Sequence, residues 1–159
     1  MSAVVGRADV LGVLTPGTHG STFGGIPLAC AVGPAVAALL EPGDLQERAV
    51  VLGEQMHERL DVLVSEGLLA SVRTVGLWAG VDVPPGRSHP AHADQRDDAG
   101  HPGVGASRGR ELCEEMARRG VLAKETHGAT IRLAPPLTIR TGDLHHGLDV
   151  LGDALRALA

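Results

Sequence analysis

The sequence predicts an α/β fold whose larger part is α+β, with helices packed on one face of a small antiparallel or mixed sheet. Three observations carry this expectation. Apolar residues from Leu45 to Leu63 recur at steps of three and four, the signature of one buried helix face. Two later segments, "ASVRTVGLWAGVDV" and "ATIRLAPPL", alternate apolar and polar residues as half-buried strands do. Leu144, Leu148, Leu151 and Leu155 then draw a second helical stripe close to the carboxyl end.

Taken in order, "SAVVG" within residues 2–14 reads as the start of a short buried strand that ends in a loop. After the glycine-rich stretch "THGSTFGGIP", Pro27 sits where a helix tolerates a missing amide, and "PLACAVGPAVAALL" continues as a helix that Pro34 is expected to kink or restart. "EPGD" closes that helix and opens the next, with Asp44 as cap and Glu47 reaching back in a capping box. Along the helix to about Glu66, Leu45, Ala49, Leu52, Met56, Leu60 and Leu63 form the buried stripe. Glu47, Arg48, Glu54, Glu58 and Arg59 fall on the solvated side.

Two short strands follow around Gly76, alternating through Val72, Thr74, Leu77, Ala79 and Val81 until Pro84 and Pro85 stop them. The segment from Pro84 to Ala106 is rich in proline, glycine, histidine and aspartate without periodic apolar residues, and reads as a long mobile loop. Ser107 is placed to cap a helix reaching about Arg119, with Leu112, Met116 and Cys113 inward. "GVLAKE" and "ATIRLAPPL" make two more strands around a turn at His127 and Gly128, and Thr141 is expected to cap the last helix.

Composition narrows the function. With 159 residues, 43% of them apolar and 21% charged, the chain can bury a real core. A formal net charge of −5 with scattered basic residues argues against nucleic acid, and the two aromatic residues, Phe23 and Trp78, cannot build a stacking platform. The most apolar window, Ile26 to Leu40, is too short and interrupted to span a bilayer, no secretory leader is evident, and a cytoplasmic location is expected. Cys30 and Cys113 lie far apart without zinc-type spacing and are expected to be buried free thiols.

Two places could bind anions. In the opening stretch, Gly20, Gly24 and Gly25 let the backbone approach a ligand, Ser21 and Thr22 offer hydroxyl donors, and a helix starting near Pro27 points its positive end at the loop. That suits a phosphate; a tight turn capped by the same hydroxyls is the plain alternative. Alternation sends Ile131 and Leu133 to one face of their strand and Thr130 with Arg132 to the other. A guanidinium fork fixed there suits a carboxylate, although a solvent-facing arginine or a structural ion pair fits the spacing equally. His89, His92 and His101 with Asp94, Asp97 and Asp98 raise the question of a metal, but they lie in a segment with no elements to orient ligands, and no metal site is expected. Lys124, the single lysine of the chain, sits among polar neighbours and reads as a surface residue.

Four segments in the same order and at similar spacing give the chain a family likeness: "PGTHGSTFGGIPLACA", "GLLA" with "VRTVGL", "RGVLAKETHG" and "IRLAPPLTI". It resembles the class III pyridoxal-phosphate aminotransferases, the ornithine aminotransferases in particular. The resemblance implies the carboxyl-terminal portion of a fold-type I transferase, with residues 1–40 a remnant of the large cofactor-binding domain and residues 41–159 the small domain, carrying a loop insertion at 84–106. It implies that Ser21 and Thr22 contact the phosphate of pyridoxal phosphate across a dimer interface. It also implies that Arg132 grips the α-carboxylate of 2-oxoglutarate or glutamate.

By the same resemblance, the Schiff-base lysine, the aspartate at the pyridinium nitrogen, the ring that stacks on the cofactor and the glutamate that masks the arginine belong to a part preceding Met1. Lys124 does not correspond to that lysine, so no catalytic residue is assigned within this chain. The expected partners are a second copy or a complementary chain bearing the rest of the enzyme. An inactive remnant serving as a binding module, and a histidine-rich metal-binding protein, are the alternative readings.

Overall fold

The computed structural model describes residues 4–84, 106–126 and 129–159, and the chain divides into two compact units, Met1–Asp44 and Leu45–Ala159. In the first unit, α1 (Ala8–Leu11) and α2 (Pro27–Leu40) are the only regular elements among the described residues. Among the described residues of "SAVVG", positions 4–6, the expected strand is not formed; Ser2 and Ala3 lie outside them. Val4 and Val5 are 79% and 96% exposed, Arg7 leads into α1, and its guanidinium pairs with Asp9 at 2.7 Å. An apolar run becomes a strand only where another strand offers its hydrogen bonds, and the first unit holds none among the described residues.

Helix α2 begins with Pro27 at its first turn, as expected, and continues as one helix through Pro34 instead of restarting there. None of its 14 residues is buried: Leu28, Val32, Val36 and Leu39 are all exposed, and so is Phe23 just before it.

The second unit holds α3 (Asp44–Ser65, whose first residue falls at the boundary), β1 (Ser71–Val75), β2 (Trp78–Asp82), α4 (Ala106–Arg118), β3 (Lys124–Thr126), β4 (Thr130–Leu133) and α5 (Thr141–Ala157). The four strands form one antiparallel sheet in the order β1-β2-β4-β3. Helices supply one side of the core through Leu52, Met56 and Leu60 of α3, Leu112 and Met116 of α4, and Leu151 of α5. Ala79, Val81 and Ile131 supply the sheet side.

Helices α3 and α4 end in the same way. Gly67 and Gly120 take positive φ values of 73° and 86°, and the next amide, Leu68 or Val121, reaches back to the carbonyl of Leu63 or Met116. This double-bonded cap turns the chain from each helix into the sheet, and it favours glycine because a side chain is strained at such φ.

Helix α3 is clamped from two sides. Gly53 is buried where α3 meets the turn between β1 and β2, and a β-carbon there would lie 2.4 Å from the Gly76 carbonyl carbon and oxygen. Arg48 and Arg59 depart from the expected solvated face: both are half-buried, Arg48 donating to the Ile139 carbonyl and Arg59 pairing with Asp149. Their long side chains cross from α3 to α5 and the segment before it, burying their stems and leaving the charged ends paired. Thr141 is not the cap of α5. It is the first helical residue, Arg140 occupies the cap position without a side-chain cap bond, and Asp143 in the first turn supplies the negative charge, bonded to Arg140 at 2.7 Å.

Candidate functional site

In the glycine-rich loop the three hydroxyls part company. The Thr18 hydroxyl donates to the Thr15 carbonyl at 2.7 Å and is spent on its own turn. Ser21 and Thr22 are exposed, and among the described residues neither hydroxyl has a hydrogen-bond partner. A β-carbon at Gly24 would crowd the Ser21 side chain at 3.3 Å, and Gly25 at φ 75° turns the chain into α2. Ile26 occupies the cap position of α2 and offers no side-chain acceptor to its first amides. Free hydroxyls beside uncapped helix amides form a donor set that fits a phosphate group, and no acid in the loop opposes it.

Arg132 lies on β4 as alternation predicts: Ile131 is fully buried, Leu133 is half-buried, and Arg132 is exposed. The register lines up Arg73, Gly80, Arg132 and Lys124 across the four strands on the sheet's outer face, with Ser71, Asp82, Thr130 and Thr126 in the next row. Arg73 leans over Gly80, whose missing β-carbon would stand 3.5 Å from the Arg73 Nη2, and bonds Asp82 at 2.5 and 3.1 Å. The Asp82 carboxylate also accepts from the Ser71 hydroxyl at 2.5 Å and the Thr130 hydroxyl at 2.6 Å. The Arg73 guanidinium above all holds the Asp82 carboxyl far below the usual carboxylate range; burial opposes it, and the two hydroxyls help to outweigh that opposition.

Among the described residues Arg132 has no ion-pair partner, so the structural ion pair weighed for it does not form. It also lines a cleft of about 390 Å³ whose other walls include Leu133, Pro135, Pro136 and Ile139.

The thiols differ from expectation in part. Cys30 is exposed on α2, because that helix buries no residue, whereas Cys113 on α4 is half-buried and its thiol is pushed up by burial and by the neighbouring Glu125 charge. No group of three ligating side chains that could hold a metal occurs among the described residues. His89, His92, His101, Asp94, Asp97 and Asp98 lie outside them. Likewise, no single helix among the described residues is long and apolar enough to cross a membrane.

The family model for class III aminotransferases matches residues 1–155. The chain belongs to the class III aminotransferases. Among curated members it is 39% identical over 155 residues to ornithine aminotransferase 1 of Staphylococcus saprophyticus, which covers 98% of this chain and 34% of that protein. It is 35% identical to the ornithine aminotransferase of Bacillus subtilis, covering 98% and 33%. Solved structures agree. The acetylornithine aminotransferase of Elizabethkingia anophelis superposes with a TM-score of 0.68 at 32% identity, covering 95% of this chain and 34% of that one. The ornithine aminotransferase of Toxoplasma gondii gives 0.67 at 32% identity, covering 96% and 32%. The chain thus spans about a third of the length of the relatives it matches.

Class III aminotransferases depend on pyridoxal phosphate, and the exposed donors at Ser21 and Thr22 are chemically suited to its phosphate. Sequence reasoning missed the Asp82 cluster and the direct opposition of Lys124 and Arg132. The polar alternation of β1, β2 and β4 contained the first; the second follows from the short connection between β3 and β4, which sets their register and was the signal available in the sequence.

Proposed function

We propose that this chain supplies two anion-binding surfaces of an ornithine-type transaminase, which converts ornithine and a 2-oxoacid to glutamate semialdehyde and an amino acid. Residues 1–40 are read as part of the large cofactor domain and residues 41–159 as the small domain, working in the cytoplasm as a dimer or with a complementary chain. The observation that carries the reading is the presence, in one class III aminotransferase chain, of two hydroxyls beside uncapped helix amides and of an arginine on a rigid strand, all without partners among the described residues.

Pyridoxal phosphate, when bound, supplies the electron sink that makes transfer of an amino group feasible. This chain's residues bind and orient. Ser21 and Thr22 donate to the phosphate, and the α2 amides add their partial positive charge. Arg132 takes the α-carboxylate of the 2-oxoacid or glutamate in a two-bonded fork, and its strand, braced by buried Ile131, fixes the direction from which the acid enters. None of the three moves a proton. Lys124, exposed on β3 among polar neighbours, is not read as the amine that holds the cofactor; that amine is assigned to the two thirds of the relatives' length that this chain does not span, to which the proposed partner corresponds. The exposed apolar side chains of α2 support such a partner, since a row of this kind is a liability in water.

The test is co-expression with a chain bearing the preceding part of an ornithine aminotransferase, followed by assay of ornithine-dependent glutamate semialdehyde. Turnover from the pair and none from this chain alone is expected. Turnover by this chain alone would refute the assignment of the amine to another chain, and a stable pair without turnover would refute the transaminase reading.

A further inference from the structure

The outer face of the sheet carries a charge imbalance that the fold leaves open. Of its three aligned cations, Arg73 is neutralised by Asp82, whose carboxylate is fully engaged by Arg73, Ser71 and Thr130. Arg132 and Lys124 remain. They are direct cross-strand partners in the β3–β4 register, both exposed, and neither has an ion-pair partner among the described residues. The acid adjacent to Lys124 in sequence does not help: Glu125 pairs in register with buried Ile131 on the opposite face, where its Oε2 is buried without a hydrogen-bond partner. The Thr126 hydroxyl is turned to the Thr130 carbonyl at 3.4 Å.

Like charges directly opposed on neighbouring strands destabilise the pair, and a bound anion relieves that cost. Cross-strand β-carbons lie roughly 5 Å apart, so an ammonium and a guanidinium on such stems can converge on one small anion. We infer that Lys124 is the second cation of the carboxylate grip at Arg132, its ammonium reaching the carboxylate group that the Arg132 fork holds in two bonds. This rests on the reading of Arg132 given above and extends it. Lys124 adds a point charge where the fork adds direction, which raises affinity for the acid without changing its orientation.

The experiment is a titration of the full chain with sodium propionate against sodium chloride at constant ionic strength, followed by the amide and side-chain NMR signals of residues 124 and 132. Propionate should give saturable shifts at both, and chloride should not. Lys124→Gln should weaken propionate binding about three- to fivefold, the size of a partly screened charge at this range. Lys124→Glu should abolish it, because the new carboxylate occupies Arg132 from the neighbouring strand. Arg132→Gln should abolish it as well. Unchanged affinity in Lys124→Gln, with loss in Arg132→Gln, removes Lys124 from the grip and leaves Arg132 standing. Unchanged affinity in Arg132→Gln, equal shifts with chloride, or no saturable shift in the unaltered chain overturns the carboxylate grip altogether.

Discussion

Replacing Gly53 by alanine tests the packing that holds the sheet against α3. An added β-carbon would stand 2.4 Å from the Gly76 carbonyl carbon and oxygen and 2.7 Å from its Cα. Comfortable contact between such atoms is about 3.5 Å, so roughly 1 Å has to be found. Both sides of the contact are backbone, and neither can swing away as a long side chain would. The cost belongs at the upper end of overpacking penalties, about 3 kcal/mol. Against it stands the better helix propensity of alanine, about 1 kcal/mol.

The net expectation for Gly53→Ala is a loss of about 2 kcal/mol, or roughly 8 °C in melting temperature for a unit of this size. Gly147 on α5 is the matched control, because nothing lies within 4 Å of its added β-carbon. Gly147→Ala should gain about 0.5–1 kcal/mol. Thermal unfolding followed by circular dichroism reads both. A Gly53→Ala chain that melts at or above the unaltered protein would refute the packing reasoning, and a fall in both variants would refute the propensity half of it.

Four further expectations follow from the site and its setting. Asp82 is held below its ordinary pKa, so its contribution to stability is complete above the unfolded value near 4 and is lost as the pH falls. Asp82→Asn should therefore cost about 1–2 kcal/mol at pH 7, screened because Arg73 is largely exposed, and should flatten the fall in melting temperature below pH 4; an unchanged acid limb would contradict this. In a reconstituted enzyme, Arg132→Ala should slow the half-reaction with 2-oxoglutarate at least tenfold more than that with ornithine, and equal losses would count against its assigned role. Thr22→Ala should release pyridoxal phosphate faster on dialysis, with retention unchanged as the contrary result. A thiol reagent should label the chain's exposed Cys30 quickly and its half-buried Cys113 slowly, the Cys113 thiol being raised by burial; equal rates would speak against the burial that separates them.

Helices α3 and α5 were legible because their leucines repeat over several turns and the repeat itself selects the buried face. The exposed side of Arg132 was legible for a similar reason, since a strand alternates and Ile131 had to face inward. Local patterns failed where a partner decides the outcome. Val4 and Val5 have strand character but no neighbouring strand among the described residues. Thr141 has capping chemistry but sits one position too far along, and Arg48 and Arg59 look solvated until α5 and the segment before it come within reach. The strand order β1-β2-β4-β3 joins residues some fifty positions apart, as in Asp82 with Thr130, and no short stretch encodes that. The roles proposed for Ser21, Thr22 and Arg132 rest on family likeness, whereas their exposure and their lack of partners among the described residues came from the fold.

Helix α2 has 14 residues and no buried side chain, close to the length at which a helix in water is only marginally formed by its own hydrogen bonds. Its backbone hydrogens should trade with deuterium far sooner than those of α3, where Met56 and Leu60 are sealed. That contrast turns α2 into a built-in reporter: whatever molecule comes to lie on it would announce itself as slowed deuterium uptake confined to that one stretch.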